Sequence, residues 1–257
     1  MRASVLATAF CISLPLLTAC GGGSQGDETT LATQPVPAAA ISVLMMGNSH
    51  TLANQLPKQL EDLLRVGSPG KMVTVVVAPG SMFLDERLAD RQSMDLLRSR
   101  QWTAVVLQAQ KYSSSGMYSY STAEAQTLVR ETRAVKALPV LFPEWPRRGV
   151  PETETIYALH VSIARQQPAC VAPVGQAWDL AQVRLPTLSL HASDGNHSNA
   201  AGANLAALML YATISGKSPL GLTALSNGVD AAVQEQLSQA AADTAQAVAP
   251  RQHCPAD

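Results

Sequence analysis

The chain has 257 residues, of which 47% are hydrophobic and 14% charged, against roughly 25% charged residues in average globular proteins. Lysine plus arginine (18) nearly balances aspartate plus glutamate (19), which argues against a nucleic-acid binder, because such a protein needs a basic face to neutralise phosphates. The apolar content excludes a disordered chain, and beyond the N-terminus no apolar run approaches the ~20 residues of a transmembrane helix.

The N-terminus has the features of a secretory signal over residues 1–19, where Arg2 precedes a short apolar stretch. The ending LTAC at 17–20 resembles the bacterial lipobox, which implies that Cys20 is lipidated; the alternative is an ordinary signal peptide that contains a cysteine. Residues 20–40 are rich in Gly, Ser, Thr and Pro and predict a flexible tether. Gly21 stands where an inner-membrane retention signal has aspartate, so the resemblance implies a lipid anchor in the outer membrane, facing the periplasm.

From Ile41 onward, short apolar runs alternate with helical patterns. Strands are predicted over 41–46, 71–78, 102–107, 138–142 and 169–174. Helices are predicted over 52–66, 121–137, 153–167, 199–215 and 229–248. Nearly all-apolar strands alternating with helices indicate a parallel sheet that is covered on both faces. We therefore predict one α/β domain over 41–220 and a helical C-terminal tail over 221–257.

Four cysteines bear on the compartment. Removal of Cys11 with the signal and lipidation of Cys20 leave Cys170 and Cys254 in an oxidising periplasm. We hypothesise a disulfide between Cys170 and Cys254 that pins the C-terminal tail to the body of the domain. The alternative is a pair of free thiols.

Polar residues follow each predicted strand, at the edge where open parallel sheets form their sites. The first strand is followed by Ser49, the second by Gly80 and the third by Gln108 and Gln110. Late in the chain, the segment 194–197 places an aspartate three residues before a histidine. Acyl transfer needs this set of groups: a hydroxyl, a base, a carboxylate that orients the base, and hydrogen-bond donors for an oxyanion.

These motifs resemble those of the SGNH hydrolases, in the branch whose first block reads GNS rather than GDS. The first block is LMMGNSHT at 44–51, the second-block glycine lies in VAPGSM, and the last block is DGNHSNAAG at 194–202. LFPEWP at 141–146 also fits this branch, and the resemblance spans about 41–217. It implies a three-layer α/β/α sandwich with a five-stranded parallel sheet. It also implies Ser49 as nucleophile, His197 as base and Asp194 as the orienting carboxylate, with no cofactor.

The third block departs from the family pattern. Where the family usually has Gly-x-Asn, this chain has Gln108-Ala109-Gln110. By position Gln110 replaces the asparagine, and its amide keeps an N–H donor on a longer arm. We expect the backbone N–H groups of Ser49 and Gly80 and the side chain of Gln110 to form the oxyanion hole, with Gln108 as the alternative to Gln110.

Other enzyme classes fit less well. No G-x-S-x-G nucleophile elbow occurs, which disfavours the α/β-hydrolases. The five histidines are scattered and no metal-ligand spacing is present, so no metal site is expected. A glycosidase would need two converging carboxylates, whereas Glu144, Glu152 and Glu154 are expected in a solvated loop. His191 is a competing base, although the last-block pattern selects His197, and Trp145 is a candidate for substrate contact.

The sequence thus predicts a monomeric serine esterase that hydrolyses carboxylic esters through an acyl-enzyme. The expected substrates are small esters or polysaccharide esters of the cell envelope, such as acetylated carbohydrates. The alternative function is a catalytically silent surface lipoprotein that binds glycans or protein partners on the same fold.

Overall fold

A five-stranded parallel sheet organises the chain, in a computed structural model that describes residues 40–223 and 227–256. Its strand order is β2-β1-β3-β4-β5, which confirms the predicted parallel α/β fold. The strands are β1 (Ile41–Met46), β2 (Val73–Val77), β3 (Ala104–Gln108), β4 (Leu138–Phe142) and β5 (Cys170–Val171). The predictions for the signal peptide, Cys20 and the tether lie outside the described residues, except for Ala40.

Helices flank the sheet on both faces. They are α1 (Ser49–Leu52), α2 (Leu56–Val66), α3 (Leu84–Ala89), α4 (Arg91–Arg98), α5 (Ala123–Ala134), α6 (Thr153–Gln166), α7 (Val174–Arg184), α8 (Ala200–Ser215) and α9 (Ala231–Ala247). Among the described residues, no helix is both long and apolar enough to cross a membrane.

The alternation of side chains along each strand builds two cores. Val43 and Met45 of β1 point to the layer formed by α2, α7, α8 and α9. Leu44 and Met46 point to the opposite layer, formed by α3, α4, α5 and α6. Helix α8 is buried on nearly all sides from Ala201 to Ile214, as expected of a helix that is hydrophobic all round.

Two predicted boundaries are wrong for local reasons, and several short helices were not predicted. The helix predicted over 52–66 begins only at Leu56, because Asn54 and Gln55 have positive φ values of 47° and 57°. The strand predicted over 169–174 contains only two residues, because Pro173 cannot donate to a strand ladder and α7 begins directly after it. The short helices α1, α3, α4 and α7 were not expected, since their patterns are brief or largely polar.

The C-terminal segment packs on the same core as the domain. Leu237 of α9 is fully buried beside α8, and the N–H of Val171 donates to the carbonyl oxygen of Pro250 at 3.2 Å. A disulfide joins Cys170 of β5 to Cys254. The end of the chain is thereby fixed to the outermost strand of the sheet.

The sheet topology places the site. The chain passes from β1 outward to β2 and then returns to the other side of β1 to form β3. This reversal opens a crevice beyond the carboxyl ends of β1 and β3, which is where open α/β sheets bind ligands.

Candidate active site

The first strand brings Ser49 to this crevice. Ser49 is the first residue of α1, and its side chain is exposed. Asn48 caps the helix, since its Oδ1 accepts a hydrogen bond from the N–H of His50 at 3.0 Å. Gly47 fits here because a Cβ would collide with the side chains of Thr51 and Gln108. The turn therefore presents a serine hydroxyl on a tightly packed backbone.

The side chains of Ser49, His197 and Asp194 form a continuous hydrogen-bonded chain. Nε2 of His197 lies 2.8 Å from Oγ of Ser49, and Nδ1 of His197 lies 2.6 Å from Oδ2 of Asp194. With its proton on Nδ1, the imidazole donates to Asp194, and Nε2 is free to accept the serine proton. This is the relation of nucleophile, base and orienting carboxylate that acyl transfer requires.

The loop before α8 holds the carboxylate and the imidazole together. An antiparallel bridge between His191 and Ser198 closes this loop. Oδ1 of Asp194 accepts hydrogen bonds from the backbone N–H groups of Asn196 and His197, both at 2.9 Å. The His197 hydrogen bond and these two N–H groups hold the pKa of the Asp194 carboxyl well below its usual range, so that it stays ionised.

Comparison with known proteins places the fold of this chain in a structural group. No protein-family model matches the sequence, and no curated protein matches it significantly. A candidate SGNH hydrolase from Slackia heliotrinireducens superposes with a TM-score of 0.53 at 27% identity, covering 67% of this chain and 98% of that one. The chain has the SGNH hydrolase fold.

Two further structures are similar in fold. A DUF4886 family protein from Bacteroides uniformis has a TM-score of 0.65 at 16% identity, covering 81% of this chain and 95% of that one. A family 3 carbohydrate esterase from Clostridium thermocellum has a TM-score of 0.50 at 13% identity, covering 67% of this chain and 94% of that one.

The second strand of the SGNH fold brings Gly80 beside the nucleophile turn. Gly80 has a φ of 75°, a conformation that glycine adopts at little cost. The N–H of Met82 donates to the carbonyl oxygen of Gly47 at 3.2 Å and joins the two strand ends. The N–H of Gly80 has no acceptor among the described residues, and the N–H of Ser49 lies in a first helical turn, where amides lack intrahelical acceptors.

A buried arginine clamps these two strand ends. Arg87 of α3 is fully buried, and its Nη2 donates to the carbonyl oxygens of Gly47 and Gly80, both at 2.6 Å. Its Nη1 donates to the carbonyl oxygen of Pro79 and, at 3.0 Å, to Oγ of Ser93. Burial lowers the pKa of this guanidinium, although arginine remains charged at any physiological pH. Arg87 is not among the site residues predicted from the sequence.

The two glutamines of the third block have different partners from those expected. Gln108 is fully buried, and its Oε1 accepts from the N–H of Asn48 and from Oγ1 of Thr51, both at 2.9 Å. Its Nε2 donates to Oε2 of Glu144 at 2.6 Å. Gln108 therefore holds the backbone before Ser49 and joins it to the end of β4.

The side-chain amide of Gln110 also donates to other groups. Its Nε2 donates to the carbonyl oxygens of Lys111 at 2.9 Å and Ser121 at 3.0 Å, which uses both N–H bonds of the amide. The structure thus leaves the Gln110 amide without a free donor for an oxyanion, contrary to the sequence-based expectation, while the Gln108 amide donates one of its two N–H bonds to Glu144. The candidate oxyanion donors that it leaves available are the N–H groups of Ser49 and Gly80.

A column of rings supports the base from the side. The ring of His50 stacks on that of His197, with centroids 4.8 Å apart and planes at 30°. Trp145 lies next to His50 at 5.3 Å and stacks on Trp178 at 4.7 Å. Burial and the nearby His197 lower the pKa of His50 to about 4, so the supporting ring is neutral at neutral pH.

Two alternatives that the sequence left open have structural roles instead. Trp145 is 1% exposed and belongs to the core, so it is not a surface for substrate contact. His191 is buried and its Nε2 lies 2.8 Å from the carbonyl oxygen of Pro146, which makes it a structural residue rather than a competing base.

A cleft of about 480 Å³ opens beside the candidate triad. It reaches Asn48 and His50, which flank Ser49, and Asn196, which precedes His197. Its remaining wall is formed by Phe83 and by side chains that carry polar groups: Gln110, Lys111, Tyr112, Ser114, Tyr120, Glu144 and Arg147. A larger cavity, of about 600 Å³, lies between α9 and the far end of α8 and contains no residue of the triad.

Glu144 and Glu152 do not lie in a solvated loop, as the sequence suggested. Glu152 is 2% exposed and pairs with Arg147 at 3.1 Å, while Glu144 is partly buried at the wall of the cleft. Only Glu154, at the start of α6, is exposed.

Proposed function

We propose that the protein is an SGNH-type serine esterase. The observation that carries the proposal is the hydrogen-bonded chain from Ser49 through His197 to Asp194. In this mechanism Oγ of Ser49 attacks the ester carbonyl while Nε2 of His197 takes its proton. The N–H groups of Ser49 and Gly80 stabilise the oxyanion, and His197 then gives the proton to the departing alcohol. Water, activated by the same imidazole, attacks the acyl-enzyme and releases the acid.

The surroundings of the triad favour esters with a polar alcohol portion. Most of the residues that line the cleft carry polar or charged groups, although Phe83 adds an apolar side chain. The side chains of His197 and Asp194 are 33% and 49% exposed, so a large substrate can reach Ser49 without a lid having to open. A short acyl group on a carbohydrate, including a polysaccharide of the cell envelope, meets both conditions.

The function is tested with p-nitrophenyl acetate. Ser49→Ala should reduce kcat/KM at least about 1,000-fold, because it removes the nucleophile. Ser113→Ala provides a matched control in an exposed loop, since Ser113 contacts only neighbours of its own loop, and it should retain full activity. Undiminished turnover by a folded Ser49→Ala variant would contradict the proposal and would favour the silent binding protein.

We also propose that Cys20 anchors the protein in the outer membrane, facing the periplasm. The lipobox-like LTAC and the composition of residues 20–40 support this localisation. Incorporation of a fatty-acid probe by the full chain, and its loss in Cys20→Ser, would test it. Equal labelling of both proteins would contradict it.

A further inference from the structure

Glu144 is a carboxylate without a cationic partner at the wall of the cleft. It lies two residues after the end of β4, and among the described residues it forms no ion pair. The two cations of the same cleft are already paired: Arg147 with Glu152 at 3.1 Å, and Lys111 with Asp85 at 2.6 Å.

Groups of the protein fill only part of the hydrogen-bonding capacity of this carboxylate. Oε2 accepts one hydrogen bond, from Nε2 of Gln108 at 2.6 Å, whereas a carboxylate offers about four acceptor positions. The Gln108 amide is held in place, because its Oε1 accepts hydrogen bonds from Asn48 and Thr51. The remaining acceptor positions of Glu144 are therefore available on the side that lines the cleft.

An ionised, partly buried carboxylate with unfilled acceptor positions is energetically unfavourable unless a ligand donates hydrogen bonds to it. Burial raises the pKa of Glu144 to about 7, with the Gln108 hydrogen bond acting in the opposite direction. A donor from a bound substrate would replace the lost water and favour the ionised form. The feature thus belongs to ligand recognition rather than to folding.

The pairing of charges in the cleft selects between two kinds of donor. An ammonium group would pair with Glu144, but the nearby carboxylates that could accept its other N–H bonds, Asp85 and Glu152, are already paired with Lys111 and Arg147. A hydroxyl group donates to a carboxylate through its single O–H bond and needs no further acceptor. The tyrosines Tyr112 and Tyr120 add polar and aromatic surface that suits a sugar ring.

We propose that Glu144 is a specificity-determining residue that accepts a hydrogen bond from a hydroxyl group on the alcohol portion of the ester. The enzyme then prefers acetate esters of polyhydroxy alcohols to acetate esters of simple alcohols. This inference rests on the proposed esterase function and deepens it by naming the group that distinguishes the substrate.

The test compares three acetate esters on the full-length protein. Mono-O-acetylglucose supplies hydroxyl groups, cyclohexyl acetate supplies a ring without them, and p-nitrophenyl acetate reports the basal chemistry. Glu144→Gln should lower kcat/KM for the sugar ester about 10- to 100-fold, which is the usual effect of losing a hydrogen bond to a charged group. The other two esters should change less than about 3-fold, because the amide oxygen introduced at position 144 can still accept the hydrogen bond from Gln108 and so keep the nucleophile turn in place.

The matched control is Glu154→Gln, the same substitution at an exposed position outside the cleft. It should leave all three esters unchanged. An equal loss on all three esters in Glu144→Gln would overturn the proposal, because it would mean that Glu144 acts through Gln108 on the nucleophile turn. A wild-type preference for acetylcholine that disappears in Glu144→Gln would also overturn it, in favour of an ammonium ligand.

The pH dependence gives a second readout. The groups that interact with Glu144 are Tyr112 after β3, Arg147 and Glu152 before α6, and His197 before α8. Both esters use the same catalytic machinery, so the ratio of kcat/KM for acetylglucose to that for p-nitrophenyl acetate isolates the contribution of the contact with Glu144. This ratio should rise as the pH passes upward through about 7 in the wild type and stay flat in Glu144→Gln.

Failure of the esterase function is recognisable separately. A wild type that hydrolyses none of the three esters refutes the proposed function. A wild type that hydrolyses p-nitrophenyl acetate but treats the sugar and cyclohexyl esters alike refutes only the role of Glu144.

Discussion

Arg87 donates a hydrogen bond from Nη2 to the carbonyl oxygen of Gly47, at 2.6 Å. On the other side of the same peptide unit, the N–H of Asn48 donates to Oε1 of Gln108 at 2.9 Å. Two fully buried side chains therefore fix the peptide unit that joins Gly47 to Asn48, just before Ser49. Since Arg87 also holds the carbonyl oxygen of Gly80, one residue sets the relative position of both candidate oxyanion donors.

We predict that Arg87→Met lowers kcat for p-nitrophenyl acetate about 10- to 100-fold, because displaced N–H donors stabilise the transition state less well. The free energy of unfolding should fall by about 2–4 kcal/mol, since buried carbonyl oxygens lose their donors. Arg87→Lys should recover part of both losses. Kinetics and urea unfolding measure the two effects, and Arg91→Met, at a side chain that is 92% exposed, is the control. A folded Arg87→Met enzyme with the wild-type kcat would rule out the clamp.

The two glutamines of the third block should differ in effect. Gln108→Ala removes the acceptor for the Asn48 N–H and should reduce kcat/KM about 30-fold or more. Gln110→Ala should reduce it less than about 5-fold, because loss of a true oxyanion donor costs about 100- to 1,000-fold. Steady-state kinetics on the same ester separates these cases. A 100-fold loss in Gln110→Ala would instead restore Gln110 to the oxyanion hole.

The disulfide should contribute to stability and not to catalysis. Cys170 and Cys254 are 84 residues apart in sequence, and their bond closes a long loop of the unfolded chain. Cys254→Ser should lower the free energy of unfolding by about 2–4 kcal/mol and leave kcat/KM unchanged. The double variant Cys170→Ser/Cys254→Ser should lose the same amount, within about 1 kcal/mol, since both variants lack the same crosslink. Identical stability of wild type and both variants under oxidising conditions would contradict this expectation.

The buried imidazole of His160 should make the fold sensitive to acid. Burial lowers its pKa from 6.5 to about 4. The unfolded chain therefore binds a proton below about pH 6.5 that the folded chain refuses until about pH 4, and stability is lost as the pH falls through this range. Relative to the wild type, the free energy of unfolding of His160→Leu should therefore be about 3 kcal/mol higher at pH 4 than it is at pH 7.5. Urea unfolding at both pH values measures this difference, and a constant offset between the two proteins would contradict it.

Much of this arrangement could be predicted from the sequence. The apolar strands β1 to β4 alternate with amphipathic helices, so hydrophobic periodicity alone indicates the parallel sheet. The polar residues at the strand ends identify Ser49, Gly80, Asp194 and His197 as neighbours, because parallel strands end at one edge of a sheet. The structure joins Ser49, His197 and Asp194 by hydrogen bonds and brings the strand end that holds Gly80 beside the nucleophile turn.

The parts that could not be predicted depend on side-chain direction. Arg87 lies in a short charged helix whose pattern resembles a solvated surface, and only tertiary packing turns its guanidinium inward. The roles of Gln108 and Glu144 depend on which face of their strand ends each side chain takes, and a one-residue difference reverses that face. No linear pattern carries this information.

The central claim is that Ser49 is a nucleophile activated by His197. Incubation of the purified protein with a fluorophosphonate, followed by peptide mass spectrometry, tests it directly. We predict a single adduct on Ser49 that is lost in Ser49→Ala and formed at least about 100-fold more slowly in His197→Ala, because the serine then lacks its base. A folded wild-type protein that gains no adduct, or that is labelled at another residue, would contradict the account.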